Sequence, residues 1–395
     1  MSGMPRVVIM GGSLGGLTAA LVLRDAGCDV RVFERSSSAL QARGAGICVL
    51  DATLRYLTER GGYRPEDVCS TTGWIRFVRA DSSIQHEQRH LYRFSSWNTM
   101  YRSLLRLFDA DRYVLGGEVV SLEDAGDAAS VTLADGSRAE ADLLVCADGI
   151  SSIARTRLLP QVAPSYAGYV AWRGTLPEKD LSPAARKALG DALTYQVLDH
   201  SHILVYPIPG LYGSLAEGDR LINIVWYINV AEGDALDSLM TDRRGVRRTM
   251  SLPPGGAADD VVARMRRDAA AWLAEPIAEV VTAIPEPFVQ VVYDIDVPRM
   301  VAGRVCLIGD AAFAVRPHAA AGTAKAADDG WALAEELVAA SGNVPGALAA
   351  WEHRQLKVGR SLLARTREIG DSSQFSGTFR PGDPRLIFGL HDPGH

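Results

Sequence analysis

The first thirty-five residues restrict the fold of this chain more than any other stretch. Arg6-Val7-Val8-Ile9-Met10 is an apolar run of strand length that stops at Gly11-Gly12. From Leu14 the apolar residues recur at helical spacing (Leu14, Leu17, Leu21, Val22), and Gly27 follows as a helix-ending glycine. Val30-Arg31-Val32-Phe33 predicts a second strand that ends at Glu34. Strand, glycine loop, helix and strand in this order open a parallel α/β dinucleotide-binding unit. Gly11 supplies the tight turn, and Gly16 lets the helix pack closely on the strand. The helix N-terminus offers free N–H groups to a pyrophosphate. Glu34 stands where a carboxylate takes both hydroxyls of an adenosine ribose. Ser13 replaces the middle glycine of G-x-G-x-x-G; it is small, and its hydroxyl is able to donate to phosphate.

Composition narrows the class. The chain has 395 residues, 47% hydrophobic and 22% charged, which excludes collagen-like and disordered readings and leaves interior for a buried cofactor. A net charge of -6 speaks against a nucleic-acid partner. No apolar run reaches the roughly 18 residues of a membrane span, and the N-terminus lacks a signal-peptide layout. A soluble cytoplasmic protein without a membrane partner is expected. The five cysteines (Cys28, Cys48, Cys69, Cys146, Cys306) show no C-x-x-C spacing, so neither a zinc site nor a disulfide framework is expected.

Further along, a glycine-bearing loop runs from Arg43 to Leu50, with short helices at Leu54–Arg60 and Leu104–Phe108. Residues 72–97 mix aromatic and polar residues as strands over a second core. Asp135-Gly136 turns a hairpin, whereas Asp148-Gly149 follows the buried run Leu143-Leu144-Val145-Cys146 and ends a core strand. Residues 165–230 are strand-rich, 252–256 form an exposed loop, and a helix at 261–273 precedes a strand at 288–293. A further strand–loop–helix follows, with Arg304–Ile308, Gly309-Asp310 and a helix over 322–340. The last helix spans 345–369, and the Gly- and Pro-rich residues 371–395 read as a mobile tail.

With these segments placed, the chain resembles the single-component FAD-dependent aromatic hydroxylases, the family of para-hydroxybenzoate hydroxylase, over roughly residues 5–370. Its three flavin motifs are the N-terminal glycine loop, a D-G-x-x-S-x-V-R run read here as Asp148-Gly149-Ile150-Ser151-Ser152-Ile153-Ala154-Arg155, and G-D-A-A-x-x-x-x-P at Gly309-Asp310-Ala311-Ala312 through Pro317. The resemblance implies an α/β fold in which a Rossmann-like FAD-binding domain (1–71, 98–164 and 285–370) is interleaved with a mixed-sheet substrate domain (72–97 and 165–284). It also implies tightly bound FAD, a transient NADH or NADPH, O2 and a small aromatic substrate, with a homodimer expected from the relatives. Asp310 then meets the ribityl chain, and Pro317, Gly322 and Thr323 run beside the isoalloxazine, with a helix N-terminus at its N1–C2=O edge. Arg102 and Val119 match family positions at the phosphates and the adenine. Leu14, Arg35, Gly46 and Ile47 complete the candidate cofactor set. The implied chemistry is hydroxylation of an electron-rich ring through a flavin C4a-hydroperoxide.

Two departures stand out: Phe313 replaces a frequent histidine, and Pro317-His318-Ala319-Ala320-Ala321-Gly322-Thr323-Ala324-Lys325 replaces P-x-x-G-x-G-x-N. Together with Tyr166–Gly174, Tyr206–Gly210 and Trp226-Tyr227, this run is most similar to the branch that hydroxylates dihydroxypyridines with NADH. The alternative is another phenolic or natural-product ring. A non-catalytic nucleotide-binding regulator would have no reason to keep the second and third motifs. The candidate pocket residues are His318 in the loop beside the flavin, Tyr206 and Tyr227 on roof strands, and His202, which shares a strand face with Leu204 and Tyr206. No metal is needed.

Overall fold

The computed structural model describes residues 3–40 and 45–395; Arg43 and Gly44 of the expected glycine-bearing loop lie outside them. A six-stranded sheet runs in the order Val301–Ala302, Val305–Leu307, Leu143–Cys146, Arg6–Met10, Asp29–Glu34, Tyr113–Leu115. Its last five strands are mutually parallel, and Val7–Ile9 and Leu143–Cys146 are almost fully buried, as strands covered on both faces must be. The helices Leu14–Asp25 and Gly322–Ala339 pack against each other so closely that a Cβ on Gly330 would lie 2.9 Å from the Ala19 Cα.

A second, nine-stranded sheet runs in the order Ser251–Leu252, Phe288–Asp294, Ser165–Pro177, Leu221–Asn229, Ser201–Ile208, Ala192–Leu198, Ser70–Val78, Ile84–Ser96, Gly46–Cys48. All pairs are antiparallel except Ala192–Leu198 with Ser70–Val78. Side chains alternate across it. Trp172, Ile203, Val205, Ile224 and Trp226 pack with Val280 and Val281 of the helix Glu275–Ala283. Ala171, Arg173, Leu204, Tyr206, Val225 and Tyr227 line a cavity on the other face.

Several expectations are corrected. The helix expected at Leu104–Phe108 spans Trp97–Leu105, because Ser96 caps it by accepting from the Thr99 N–H at 2.9 Å. Gly46–Cys48 and Phe288–Asp294, assigned from sequence to the first unit, hydrogen-bond into the larger sheet. The last helix continues to Gln374. The residues beyond it, read as a mobile tail, fold back over the larger sheet, with Phe379, Leu386, Phe388 and Leu390 buried. The Phe388 N–H donates to the Tyr92 hydroxyl (2.9 Å), the Gly389 N–H donates to the Ala319 carbonyl (3.2 Å), and Arg385 pairs with Glu368 (2.6 Å). The Gly and Pro residues make turns there, and the apolar residues between them supply the burial. No helix among the described residues is long and apolar enough to cross a membrane.

Candidate active site

The cavity opens where the C-terminal ends of the parallel strands meet the inner face of the larger sheet, the usual ligand position in such folds. It has two adjoining spaces of about 720 and 390 Å³, both bordered by Ser13, Trp97, Ala147, Gly149, Gln290 and Asp310.

The larger space is lined by Gly11, Ser13, Glu34, Arg35, Val119 and Asp148. Gly11 holds φ at 99°, and a Cβ there would run into the Ala147 carbonyl, so only glycine turns the chain at this point. A Cβ on Gly16 would strike the Gly11 carbonyl; this is the close helix–strand packing that the sequence requires. Ser13 is the N-cap of the first helix, and its side chain makes no capping bond, which leaves N–H groups and a hydroxyl for an anion. The Glu34 carboxylate accepts from the N–H groups of Gly12 and Ser36, each at 2.9 Å, and its remaining lone pairs border the cavity.

Asp148 accepts from the Ile153 N–H (2.8 Å) through one oxygen, while the other oxygen is buried without a partner. Burial pushes its carboxyl up. Arg155 donates to the carbonyls of Ala311 (3.2 Å) and Ile150 (2.6 Å), so the second motif braces the third. Asp310 borders both spaces; burial pushes its carboxyl up, and the nearby Lys325 and Arg155 oppose that shift. Gly322 opens a helix without a side-chain cap, and both it and Thr323 border the smaller space. Leu14, Gly46, Ile47 and Pro317 border the same space, whereas Arg102 lies half-buried on its helix and lines neither. A glycine cradle, an open helix N-terminus, a ribose-ready carboxylate and an orphaned Asp148 oxygen fit the dinucleotide of FAD.

Register builds the roof of the smaller space as a grid. Ala171 lies beside Tyr227, which lies beside His202; Arg173 beside Val225 beside Leu204; and Asn223 beside Tyr206. The Tyr206 hydroxyl donates to the Gly46 carbonyl at 3.2 Å, and burial pushes its phenol up to about 12. Burial also pushes Tyr227 up. Arg173, which sequence reasoning did not single out, donates to the Gly46 carbonyl (2.6 Å) and to the Gln290 side-chain oxygen (2.9 Å). Its signal was a charged residue within the largely buried strand Ser165–Pro177. Ala320, where the family pattern has glycine, takes the left-handed conformation at φ 52°.

The two histidines are placed differently from the expectation. His318 and His202 line neither of these two spaces; they sit behind Tyr227 in an aromatic cluster, each ring centroid 4.7 Å from that of Tyr227. Nε2 of His318 shares a hydrogen bond with the Tyr169 hydroxyl at 2.7 Å, and Nδ1 of His202 shares one with Ser373 Oγ at 2.5 Å. The strand face of His202 agrees with the period-2 reading, but the end of the last helix covers it.

Burial lowers His202 to about 3 and holds His318 well below its usual range. The unfolded chain protonates both near 6.5, so it binds more protons than the folded chain below that pH. Stability is therefore expected to fall as pH drops from about 6 to 4, by about 1.4 kcal/mol per pH unit for each histidine. Urea midpoints across that range check this. His202→Gln flattens the slope by one proton, and an unchanged slope refutes the account.

Comparison with known proteins agrees with this geometry. The family described as FAD binding domain-like matches residues 166–294, and that described as FAD binding domain matches residues 292–366. The 2,6-dihydroxypyridine 3-monooxygenase of Paenarthrobacter nicotinovorans is 40% identical over 390 residues, which cover 98% of this chain and 96% of the relative. The chain belongs to the single-component FAD-dependent aromatic hydroxylases. The solved structure of the 2,6-dihydroxypyridine-3-hydroxylase from Arthrobacter nicotinovorans superposes on this hydroxylase with a TM-score of 0.93 at 38% identity, covering 99% of this chain and 98% of that one. Klebsiella pneumoniae HpxO complexed with FAD and uric acid shares the fold (TM-score 0.77, 22% identity, 96% and 90% covered). The hydroxylase is an enzyme whose cofactor is FAD, with NAD(P)H as reductant.

Proposed function

We propose that this hydroxylase converts 2,6-dihydroxypyridine to 2,3,6-trihydroxypyridine, using NADH and O2, as a cytoplasmic homodimer. The carrying observation is the roof of the smaller space. Tyr206, Tyr227 and Arg173 give it polar positions, while Phe94, Trp97 and Phe388 give it aromatic walls. That combination suits one flat ring with hydroxyls near one edge. FAD, when bound, would pass the two electrons of NADH to O2 and so supply the chemistry that makes one of its oxygen atoms electrophilic. The chain's own residues orient the ring through the phenols and the guanidinium, and the aromatic walls keep water away from the reacting carbon. Carbon 3 of this ring is ortho to one hydroxyl and para to the other, so both activate it. The relative at 40% identity, named for this substrate, supports the reading.

The test is an absorbance spectrum of the purified protein, then NADH oxidation with and without 2,6-dihydroxypyridine, with the product identified by mass. Flavin bands with stimulated oxidation and a hydroxylated product are expected. Flavin bands without stimulation would discard the pyridine and leave another hydroxylated ring. Sedimentation velocity reads the dimer.

A further inference from the structure

The smaller space, about 390 Å³, is bordered by Asp310, Gly322 and Thr323 of the flavin site as well as by Tyr206 and Tyr227 of the roof. It therefore has to take the edge of the flavin ring and the substrate together, and its remaining length decides how large a ring fits. Most of its walls are fixed by the fold. Tyr206, Val225 and Tyr227 lie on strands that are hydrogen-bonded to neighbours on both edges. One wall has another origin. Phe388 comes from the segment after the last helix, where the chain makes a single short helical turn at Pro384–Leu386 and no strand. It spans the gap between the edge of the larger sheet and the loop after the third motif. The Phe388 N–H donates to the Tyr92 hydroxyl (2.9 Å), and the Gly389 N–H donates to the Ala319 carbonyl (3.2 Å). The Phe388 carbonyl accepts from the Gly394 N–H at 2.9 Å, and Arg365 donates to the Gly389 carbonyl. A Cβ on Gly389 would strike the Asp392 carbonyl, so the closing turn has no slack. The Phe388 ring packs 4.8 Å from that of Tyr92 between centroids. A ring held at this many points does not step aside without cost.

We propose that Phe388 sets the size limit for the substrate: a hydroxylated single ring is admitted, and the same ring carrying a fused second ring is turned away. The inference rests on the substrate reading above and goes beyond it, because it assigns this discrimination to the C-terminal segment. The polar groups of the roof meet ring hydroxyls, which a fused analogue carries equally, so they do not separate the two. A fixed apolar wall does, since a fused ring has to displace it. The phenyl group of Phe388 is itself a benzene ring, so removing it opens a void of the size that a fused benzene ring adds. Tyr92 and Phe94 remain beside that void as aromatic neighbours.

The test uses the FAD-loaded enzyme and two pairs of probes that differ only by a fused benzene ring. The first is 2,6-dihydroxypyridine with 1,3-dihydroxyisoquinoline, which keeps a free carbon ortho to one hydroxyl and para to the other. The second is 1,3-dihydroxybenzene with 1,3-dihydroxynaphthalene. Binding is read without NADH from the change in the flavin spectrum, and product per NADH is then counted. Wild type is expected to prefer the one-ring member by about tenfold or more. Phe388→Ala is expected to lose or reverse that preference and to yield more product per NADH with 1,3-dihydroxyisoquinoline than with 2,6-dihydroxypyridine. Phe388→Leu, which keeps most of the packing, falls between them. FAD content verifies that each variant is intact. A one-ring preference that is the same in all three proteins overturns the proposal, as does a wild type that binds both members of each pair equally or three proteins that bind no probe. Wild type that separates the carbocyclic pair through Phe388 but ignores both heterocycles would support the role and refute the substrate.

Discussion

Lys325→Met is expected to destabilise the folded chain by about 3–5 kcal/mol, the cost of leaving one member of a buried ion pair unpaired. Lys325 and Asp329 are both essentially inaccessible, with Nζ and Oδ2 2.6 Å apart one helical turn from each other. The same Asp329 oxygen accepts from the Gly309 N–H at 2.8 Å, and the Asp329 carbonyl accepts from the Trp351 indole. The pair thus clamps the helix after the third motif to the glycine that begins it. Burial already pushes the Asp329 carboxyl up, and Lys325 is the main influence opposing it. Without the ammonium, Asp329 takes up a proton and the position of Asp310 loosens. The double variant Lys325→Met with Asp329→Asn keeps an acceptor for Gly309 and removes the orphaned charge, so it should recover most of the loss. Urea unfolding and FAD retention measure both. A single variant as stable as wild type refutes the clamp.

Phe388→Ala is expected to uncouple the enzyme. Phe388 is buried, lines the smaller space and lies 4.8 Å from Tyr92 between ring centroids; Tyr92 in turn neighbours Phe94, which stacks on Tyr206 at 4.2 Å. Removing the ring opens the substrate end to water and leaves a void worth about 3–5 kcal/mol of stability. With substrate present, NADH should still be consumed while most of the oxygen leaves as hydrogen peroxide, with product per NADH falling about tenfold for a barrier change near 1.4 kcal/mol. Phe388→Leu should restore much of the coupling by refilling the volume. Product and peroxide counted against NADH give the answer, and unchanged coupling in the alanine variant would remove Phe388 from the wall.

The parts of this enzyme legible in its sequence are those where local chemistry leaves no choice. Gly11 must turn the chain beside Ala147, a carboxylate must end the second strand, and a buried run must stop at Asp148. Period-2 alternation placed His202, Leu204 and Tyr206 on one face, as the strand pairing has them. Alternation says nothing of what covers a face, however. Ser373 and Phe379, far away in sequence, close over His202, and no local pattern announces that contact. The same limit hid Arg173, whose importance depends on having Val225 and Gln290 as neighbours. It also made the C-terminal segment read as mobile, since Gly and Pro mark turns equally well in packed and unpacked chain.

That segment has a consequence for how the protein is assembled. All the other residues bordering the smaller space have left the ribosome by Ala326, whereas Phe388 follows the whole of the long last helix. During synthesis the substrate end of the cavity is therefore the last part to receive its outer wall. The order in which the gene is read thus puts the wall of the substrate space after everything it encloses.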